Sequence, residues 1–388
     1  MSAELSSRER VNRTLRHQEA DRIPLDLGST PFTTVHLEVA KDLNRYLGEA
    51  QESYEFISFS AQAVKLNPQV SKKLNIDTCG VTTRLPDSYR MRIDETNSYE
   101  DEWGIRYRKV PASYQYDFIQ HPLEEADLDD LENFQFPDPV EETRFAGFRE
   151  NVKRIYEETD KAIVLNPPYG CQIMAVEAWL TGFERHYCDI AADQEFIHAL
   201  SRRLMDWYMR WLDRALDEVG EYISVIACAD DLGIQSGPMI RPETYRELFQ
   251  PYHKELYSFI KKRTDARIFL HSCGSVVQFM DDIIENGVDI LNPVQVTAKD
   301  MDTKFLKERW GDKITFWGGG CNAQKVLPFG TLDEVEAEVR MRIDDLKPGG
   351  GFVFAPIHNI LPGISGEKVN AMYRVAKEYG TYGQKEEK

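Results

Sequence analysis

The chain lacks any long apolar run and any basic block. No unbroken apolar stretch in the 388 residues approaches the ~18 residues that a membrane-spanning helix needs. Residues 1–22 are polar and lack the apolar core of a signal peptide. We therefore expect a cytoplasmic protein with no membrane partner. The formal net charge is −18, which disfavours binding to a nucleic-acid backbone, so no nucleic-acid partner is expected.

Cysteine is scarce, and a dinucleotide-binding signature is missing. Six cysteines are scattered along the chain without close pairs, which argues against a disulfide framework and favours free thiols in a reducing compartment. No GxGxxG motif follows the first apolar run, 22–28. This disfavours an open sheet of the dinucleotide-binding type.

What the chain does contain is a series of eight short apolar runs, mostly separated by helical patterns. The runs are 22–28, 79–85, 162–165, 223–227, 267–270, 288–291, 314–317 and 352–355. Strands that alternate with helices pair in parallel, and eight of them indicate an α/β fold of the closed (β/α)₈ TIM-barrel type. We predict one barrel domain over residues 1–388.

A small antiparallel β insertion is predicted after the second strand, at 86–122. Within it, segments 89–93, 103–108 and 114–119 alternate polar and apolar residues, as strands with one face in water do. The segment before the second strand, 31–73, is predicted to be largely helical.

The end of the run 267–270 carries two ligands for a soft metal. Side chains alternate along a strand, so His271 and Cys273 are expected to point to the same side. Imidazole and thiolate suit zinc, although a buried structural cysteine beside a hydrogen-bonded histidine is the alternative. Cys321 and His358 follow two later strands, and strand ends converge at one face of a barrel. We predict zinc on His271, Cys273 and Cys321, with His358 as a fourth ligand or a substrate contact.

Other polar side chains also follow the predicted strands. Asp230 and Asp231 are candidates for metal binding, acid–base catalysis or orienting a ligand imidazole, and a helix N-cap is the alternative for one of them. Glu177 is a further catalytic candidate, against the alternative that it lies on a helix surface. Four amide side chains are predicted to contact the substrate: Asn166, Asn292, Gln295 and Asn359.

Six short motifs carry a resemblance to a known family. They are Asp101-Glu-Trp-Gly104, Asp230-Asp-Leu-Gly233, His271-Ser-Cys-Gly274, Asn292-Pro-Val-Gln295, Trp317-Gly-Gly-Gly-Cys321 and Ala355-Pro-Ile-His-Asn359. Over nearly its whole length the chain resembles the uroporphyrinogen decarboxylase-like superfamily, and within it the zinc-dependent corrinoid methyltransferases. The most specific part of the resemblance is the His-x-Cys pair with a distant second cysteine.

This resemblance implies a zinc enzyme that moves a methyl group from a methylated small molecule to cob(I)alamin. The chain has no Asp-x-His-x-x-Gly corrinoid signature, so the corrinoid is expected on a separate corrinoid-binding protein. In the thiol-methylating members the second cysteine lies nearer the C-terminus, around the strand that here precedes His358. That departure makes an aryl methyl ether the favoured methyl donor and leaves methylcobalamin:thiol transfer as an alternative.

Two further alternatives remain open. Uroporphyrinogen decarboxylases, as the resemblance implies, carry arginines near the first strand for the substrate's propionates, whereas here no arginine follows Arg22 in the stretch 24–31. A decarboxylase is therefore the second choice among enzymes. A zinc-stabilised binding barrel without turnover is the alternative of another class, because a fold alone does not define a function.

The missing arginines lead to a first prediction. We expect the purified protein not to decarboxylate uroporphyrinogen, because several carboxylates on one substrate need cationic partners that are missing from the first strand end. The measurement is coproporphyrinogen formation under anaerobic conditions. Detectable product would favour the decarboxylase over the methyltransferase.

Overall fold

The computed structural model describes residues 4–383 of the chain. Its strands, in chain order, are β1 (Val35–His36), β2 (Phe56–Ser58), β3 (Ala63–Val64), β4 (Thr78–Val81), β5 (Ser98–Glu100), β6 (Arg106–Arg108), β7 (Asp117–Gln120), β8 (Ala162–Leu165), β9 (Val225–Ala229), β10 (Gly233–Ile234), β11 (Gly237–Pro238), β12 (Arg267–His271), β13 (Ile290–Asn292), β14 (Thr315–Trp317) and β15 (Phe352–Val353).

Helices connect these strands. They are α1 (Ser7–Thr14), α2 (Leu37–Leu47), α3 (Pro68–Lys73), α4 (Leu128–Asn133), α5 (Glu142–Phe145), α6 (Phe148–Glu158), α7 (Met174–Thr181), α8 (Phe183–Ala192), α9 (Gln194–Val219), α10 (Pro242–Leu248), α11 (Gln250–Arg263), α12 (Met280–Glu285), α13 (Thr303–Trp310), α14 (Val326–Phe329), α15 (Leu332–Leu346) and α16 (Gly366–Tyr379), with short 3₁₀ turns at Pro168–Cys171 and Val277–Phe279. In these described residues no helix is long and apolar enough to cross a membrane.

A curled parallel sheet of seven strands forms the body of the molecule, in the order β4-β8-β9-β12-β13-β14-β15. The segment around Leu25 lies between its two edges: Leu25 bridges Phe354 in parallel, and its carbonyl accepts the Asp77 N–H at 2.8 Å. The first apolar run thus occupies the eighth position of the barrel. The predicted TIM-barrel fold is confirmed, with short strands whose limits differ from the predicted runs by a few residues.

Apolar side chains fill the barrel interior. Inward-facing side chains form one cluster, which consists of Ala162, Val164, Val225, Ala227, Phe269, Ile290, Trp317, Val353 and Ala355. Val11 and Leu15, in and just after α1, pack against the same cluster. A second, larger apolar layer lies between the sheet and the surrounding helices. A packed interior leaves the carboxyl ends of the strands as the face on which a site can form.

A three-stranded antiparallel sheet, β5-β6-β7, is inserted in the chain between β4 and β8, where the sequence predicts an insertion. Its buried face stacks Tyr99 on Tyr107, with ring centroids 4.9 Å apart. Asp101 of this sheet accepts the Tyr169 hydroxyl at 2.9 Å, which ties the sheet to the loop after β8. The predicted strand 89–93 is wrong in detail, because Met91 and Ile93 are exposed and the first strand pairs later, from Ser98.

The segment between the first and second barrel strands is less helical than predicted. It contains helices α2 and α3, but also a small antiparallel sheet, β1-β3-β2. The pairs Val35 with Val64 and His36 with Ala63 close this sheet. Two-residue strands carry too little period-2 pattern to be seen in a sequence.

The Asp77 carboxylate holds the first strand segment to the rest of the barrel. It is fully buried and accepts hydrogen bonds from Arg10 at 2.6 Å, from Arg22 at 2.7 and 3.0 Å, and from the Leu25 N–H at 2.8 Å. Asp21 pairs with the remaining nitrogens of Arg10. Because buried charges need partners, this network requires the first strand to dock beside β4.

We predict that Asp77→Asn lowers the free energy of unfolding by about 3 kcal/mol, because it leaves the Arg22 guanidinium buried without its anion. Urea unfolding followed by circular dichroism measures the change. Glu158→Gln is the control, because Glu158 forms an exposed i,i+4 pair with Arg154 at 3.2 Å. The control should change stability by less than about 0.5 kcal/mol. Equal effects of the two substitutions would contradict the role of Asp77.

Candidate metal centre

Three potential metal ligands converge at the carboxyl ends of the barrel strands. His271 is the last residue of β12, Cys273 follows two residues later, and His358 lies in the loop after β15. One ligand atom from each lies within 4.8 Å of the others. Imidazole nitrogen and thiolate sulfur are ligands of zinc, and the carboxyl ends of the barrel strands bring them to one face.

The orientation of the His271 ring is fixed by hydrogen bonds. Asn292 donates through its amide nitrogen to the Trp317 carbonyl at 2.7 Å, so its Oδ1 is the atom that faces His271 Nδ1, at 2.5 Å. Nδ1 must then carry the proton and donate. Nε2 is left as a lone pair, 3.3 Å from Cys273 Sγ. A hydrogen bond that fixes the tautomer in this way is usual for histidines that bind metals.

Cys273 is held by its backbone. Its N–H donates to Asp231 Oδ1 at 2.7 Å, and the next N–H, of Gly274, donates to Gln295 Oε1 at 2.7 Å. A Cβ on Gly274 would overlap the backbone of Gly233, so this turn is packed against the β10–β11 hairpin. These contacts fix the position of the backbone that carries the thiol.

The electrostatics of the three groups suit a cation. Burial, and then the neighbouring His358, lower the pKa of His271 to about 3, so the ring is neutral at physiological pH. Burial also lowers the pKa of His358. Burial and the Asp231 charge raise the pKa of the Cys273 thiol. Neutral imidazoles bind metal without losing a proton, and a bound cation would favour the thiolate that burial disfavours.

Two imidazoles and one thiolate fit zinc. Catalytic zinc commonly takes three protein ligands and keeps one position open. His271 is only 3% exposed, whereas Cys273 and His358 are partly exposed, so the accessible side of the group is the side of these two residues. The donor set and its exposure therefore fit a catalytic rather than a closed structural zinc site.

The structure does not bring Cys321 to this group, in contrast to the prediction. Its thiol lies 4.0 Å from Glu338 Oε2, on α15 in the outer helical layer. Burial and Glu338 raise its pKa to about 12. The physical reason is the turn before it: Gly318 and Gly319 have φ angles of +109° and +77°, which redirect the chain after β14. The position of Cys321 after a strand end therefore does not determine the direction of its side chain.

The adjacent Asp230 and Asp231 have different surroundings. Asp230 is fully buried, and its carboxylate accepts the N–H groups of Ile173, Met174 and Ala175 at 2.9–3.1 Å and faces His253 Nε2 at 3.1 Å. It caps the N-terminus of α7, which lies earlier in the chain, before α8 and α9. Asp231 instead accepts a hydrogen bond from the Cys273 N–H. Burial raises the pKa of Asp231 to about 6, although this hydrogen bond acts to lower it. Of the pair, Asp231 is the residue beside the metal group.

Glu177 lies in the helical layer. It is fully buried, accepts the Ser201 hydroxyl at 2.5 Å and approaches His186 Nδ1 at 3.7 Å. Burial, opposed by the Ser201 hydrogen bond, raises its pKa well above the usual value. Its contacts are with α8 and α9 rather than with the three metal ligands. Its burial rules out a helix-surface position, and the catalytic role stays a prediction.

The predicted substrate-binding amides are all at the strand ends. Asn292 and Gln295 support His271 and the Cys273 turn, as described above. Asn166 donates to the Ser29 carbonyl at 2.9 Å, and its Oδ1 is buried without a partner. Asn359 Oδ1 is likewise buried without a hydrogen bond, next to His358. Contact with a substrate stays a prediction for these residues.

Sequence reasoning missed Phe32. Its ring stacks on His271 with centroids 3.8 Å apart and planes at 10°, and meets His358 edge-on at 6.5 Å. It stands in the loop after the first barrel strand, four residues beyond Gly28. The only available signal was its place after a strand end, and polar residues are the usual site candidates there.

The fold and the site together define a TIM barrel with a candidate metal centre at the carboxyl ends of its strands. The family model of uroporphyrinogen decarboxylase (URO-D) matches residues 113–379, and the chain belongs to that family. It is 22% identical to the uroporphyrinogen decarboxylase of Alkalilimnicola ehrlichii over 94% of this chain and 92% of that enzyme. The enzyme of the same name from Thioalkalivibrio sulfidiphilus is 28% identical, over 35% of this chain and only 37% of its own length.

A solved structure extends the fold comparison. A methyltransferase from Methanosarcina mazei superimposes with a TM-score of 0.66 and 18% sequence identity, covering 97% of this chain and 99% of that one. At this identity the likeness concerns the fold.

The placement of the two cysteines leads to a prediction. In zinc-loaded protein, Cys273→Ala should remove the metal, because it deletes one of three convergent donors, whereas Cys321→Ala should retain it. Elemental analysis after gel filtration measures zinc per chain. Circular dichroism provides the control for folding in both variants. Zinc loss from Cys321→Ala, or full zinc occupancy in Cys273→Ala, would contradict the ligand set.

Proposed function

We propose that this protein is a zinc-dependent methyltransferase, which moves a methyl group from a methylated small molecule to the cob(I)alamin of a separate corrinoid protein. The methyl donor we favour is an aryl methyl ether. The observation that carries the proposal is the convergence of His271, Cys273 and His358 within 4.8 Å at the strand ends. A zinc ion held there would act as a Lewis acid on the heteroatom that leaves when the methyl group is transferred.

The surrounding residues of the chain support that chemistry. Asn292 keeps the metal-facing nitrogen of His271 unprotonated, and Asp231 holds the backbone of Cys273. The open side of the group, at Cys273 and His358, is where a donor's oxygen would bind. In the transfer, the bond from carbon to oxygen would break with its electron pair left on oxygen, and the methyl group would pass to the cob(I)alamin that the partner protein supplies.

A methyltransferase accounts for the site better than a decarboxylase does. Pairing several propionates requires cations at the first strand end, whereas Arg22 is committed to buried Asp77, with nitrogen–oxygen distances of 2.7 and 3.0 Å. Decarboxylation also gives no role to a cluster of two imidazoles and a thiol. The fold of the Methanosarcina mazei methyltransferase is compatible with the proposal without identifying a substrate.

The partner follows from the same proposal. With no corrinoid signature in its own sequence, the chain needs a corrinoid-binding protein to supply cobalt(I). Genes for such a protein and for a reductive activator next to the gene for this chain would support this. A cytoplasmic location, no nucleic-acid partner and a single domain over 1–388 with an insertion at 86–122 belong to the same proposal.

The proposal predicts that methylcobalamin forms only when zinc-loaded protein, a methylated donor and cob(I)alamin are all present. The donors to be compared are methoxyaromatics, methylamines and methyl thioethers, with the cobalamin absorbance as the measurement. Removing zinc, or replacing Cys273 by Ala, should lower the rate to that of the uncatalysed reaction. Cys321→Ala is the matched control and should retain most of the activity.

If metal-replete protein gave no methylcobalamin with any donor, and no reverse transfer to thiols or phenols, methyl transfer would be abandoned. Retained zinc with no turnover would then favour the binding barrel.

A further inference from the structure

A rigid loop places the Phe32 ring over the candidate metal ligands. In this loop, residues 28–34, Gly28 N–H donates to the Thr33 carbonyl at 2.9 Å and the Thr30 and Thr33 hydroxyls lie 3.0 Å apart. The Phe32 N–H donates to Thr30 Oγ1 at 3.2 Å. Because these polar groups bond within the loop, the position of Phe32 is set before any ligand arrives.

The base of the loop is anchored inside the barrel. Buried Asp26 accepts the Ser29 N–H at 3.2 Å and the Thr78 hydroxyl at 2.6 Å with one oxygen. Its other oxygen accepts the Trp317 indole N–H at 2.8 Å. Trp317 in turn provides the carbonyl that orients Asn292. The loop and the His271 ring are thus positioned by the same buried polar groups.

One face of the Phe32 ring packs against another ring, and part of the residue's surface is exposed to solvent. It stacks flat on His271 at 3.8 Å and belongs to the partly exposed residues that pack against the barrel interior. Threonines 30, 33 and 34 around it are buried. The ring also meets the edge of the His358 ring, with centroids 6.5 Å apart, and both residues are partly exposed. A molecule that approaches the open side of the metal group therefore meets an apolar ring as well as the ligands.

We infer that Phe32 is a specificity-determining residue, whose ring contacts the carbon frame of the methyl donor and favours planar aromatic donors over aliphatic ones. That the bound molecule is a methyl donor rests on the proposed function. The contact between Phe32 and a molecule at the metal site does not depend on that function. Offset or edge-to-face packing of two aromatic rings adds to the burial of apolar area. The same ring excludes water from one side of the reacting group.

A binding experiment separates this contact from catalysis. The protein is loaded with cobalt(II) in place of zinc, and its visible absorption is titrated with 2-methoxyphenol and with 2-methoxyethanol. Both probes carry one methoxy and one hydroxyl group, but they differ in the carbon frame. Wild-type protein should bind the aromatic probe more tightly, and Phe32→Leu should weaken that binding by about fivefold while leaving the aliphatic probe unchanged.

Two variants serve as controls. Phe32→Tyr keeps an aromatic ring and should retain the preference. Phe305→Leu changes an exposed phenylalanine, which packs edge-on against Trp310 on α13, and should alter neither affinity. Metal content is measured in every variant and should remain at one ion per chain, since Phe32 supplies no ligand.

The outcomes distinguish the inference from the proposed function. A preference for the aromatic probe that Phe32→Leu lowers about fivefold, with the affinity for the aliphatic probe unchanged, supports the inference even if no methyl transfer is found. Equal weakening of both probes in Phe32→Leu, or no preference in the wild type, overturns it even if methylcobalamin is formed. Loss of metal from Phe32→Leu but not from Phe32→Tyr would also overturn it, because the ring would then serve the metal rather than the donor.

Discussion

The buried Asp77 carboxylate, shared by Arg10, Arg22 and the backbone of Leu25, is the constraint on which the barrel depends. The first strand makes few ladder hydrogen bonds of its own, so its position between β4 and β15 rests on this charge network. Unpaired charges are costly inside a protein, and the chain avoids that cost only when the barrel is closed. The loop that carries Phe32 leaves from this same strand, so closure of the barrel also builds one wall of the site.

The candidate metal centre is organised by hydrogen bonds that come from neighbouring strands. Asn292 on β13 fixes the tautomer of His271 on β12, and the carbonyl of Trp317 on β14 fixes the orientation of the Asn292 amide. Each orienting group is thus placed by the parallel register of the sheet. A site built this way needs little rearrangement to accept a cation, because the donor atoms already point to one place.

The barrel and two of the convergent candidate metal ligands could be predicted from the sequence, because the patterns behind them do not depend on context. The alternation of side chains along a strand is independent of context, so His271 and Cys273 were correctly expected on one side. His358 was named because it follows the last strand. Cys321 was misjudged because the direction of a side chain beyond a strand depends on local backbone, here two glycines with positive φ. Asp230 shows the same limit: its capped helix is distant in sequence and only the fold reveals it.

The packed interior has a consequence for the order of events. Phe269 and Trp317 fill the barrel and α1 covers its amino end, so the strand-end face is the direct approach to His271 and its neighbours. In a two-reactant enzyme of the proposed kind, a small methyl donor and a large protein-borne acceptor would both approach from this face. The acceptor would block it on arrival. Kinetically, the donor then has to bind first, and free acceptor protein in excess should behave as a dead-end inhibitor.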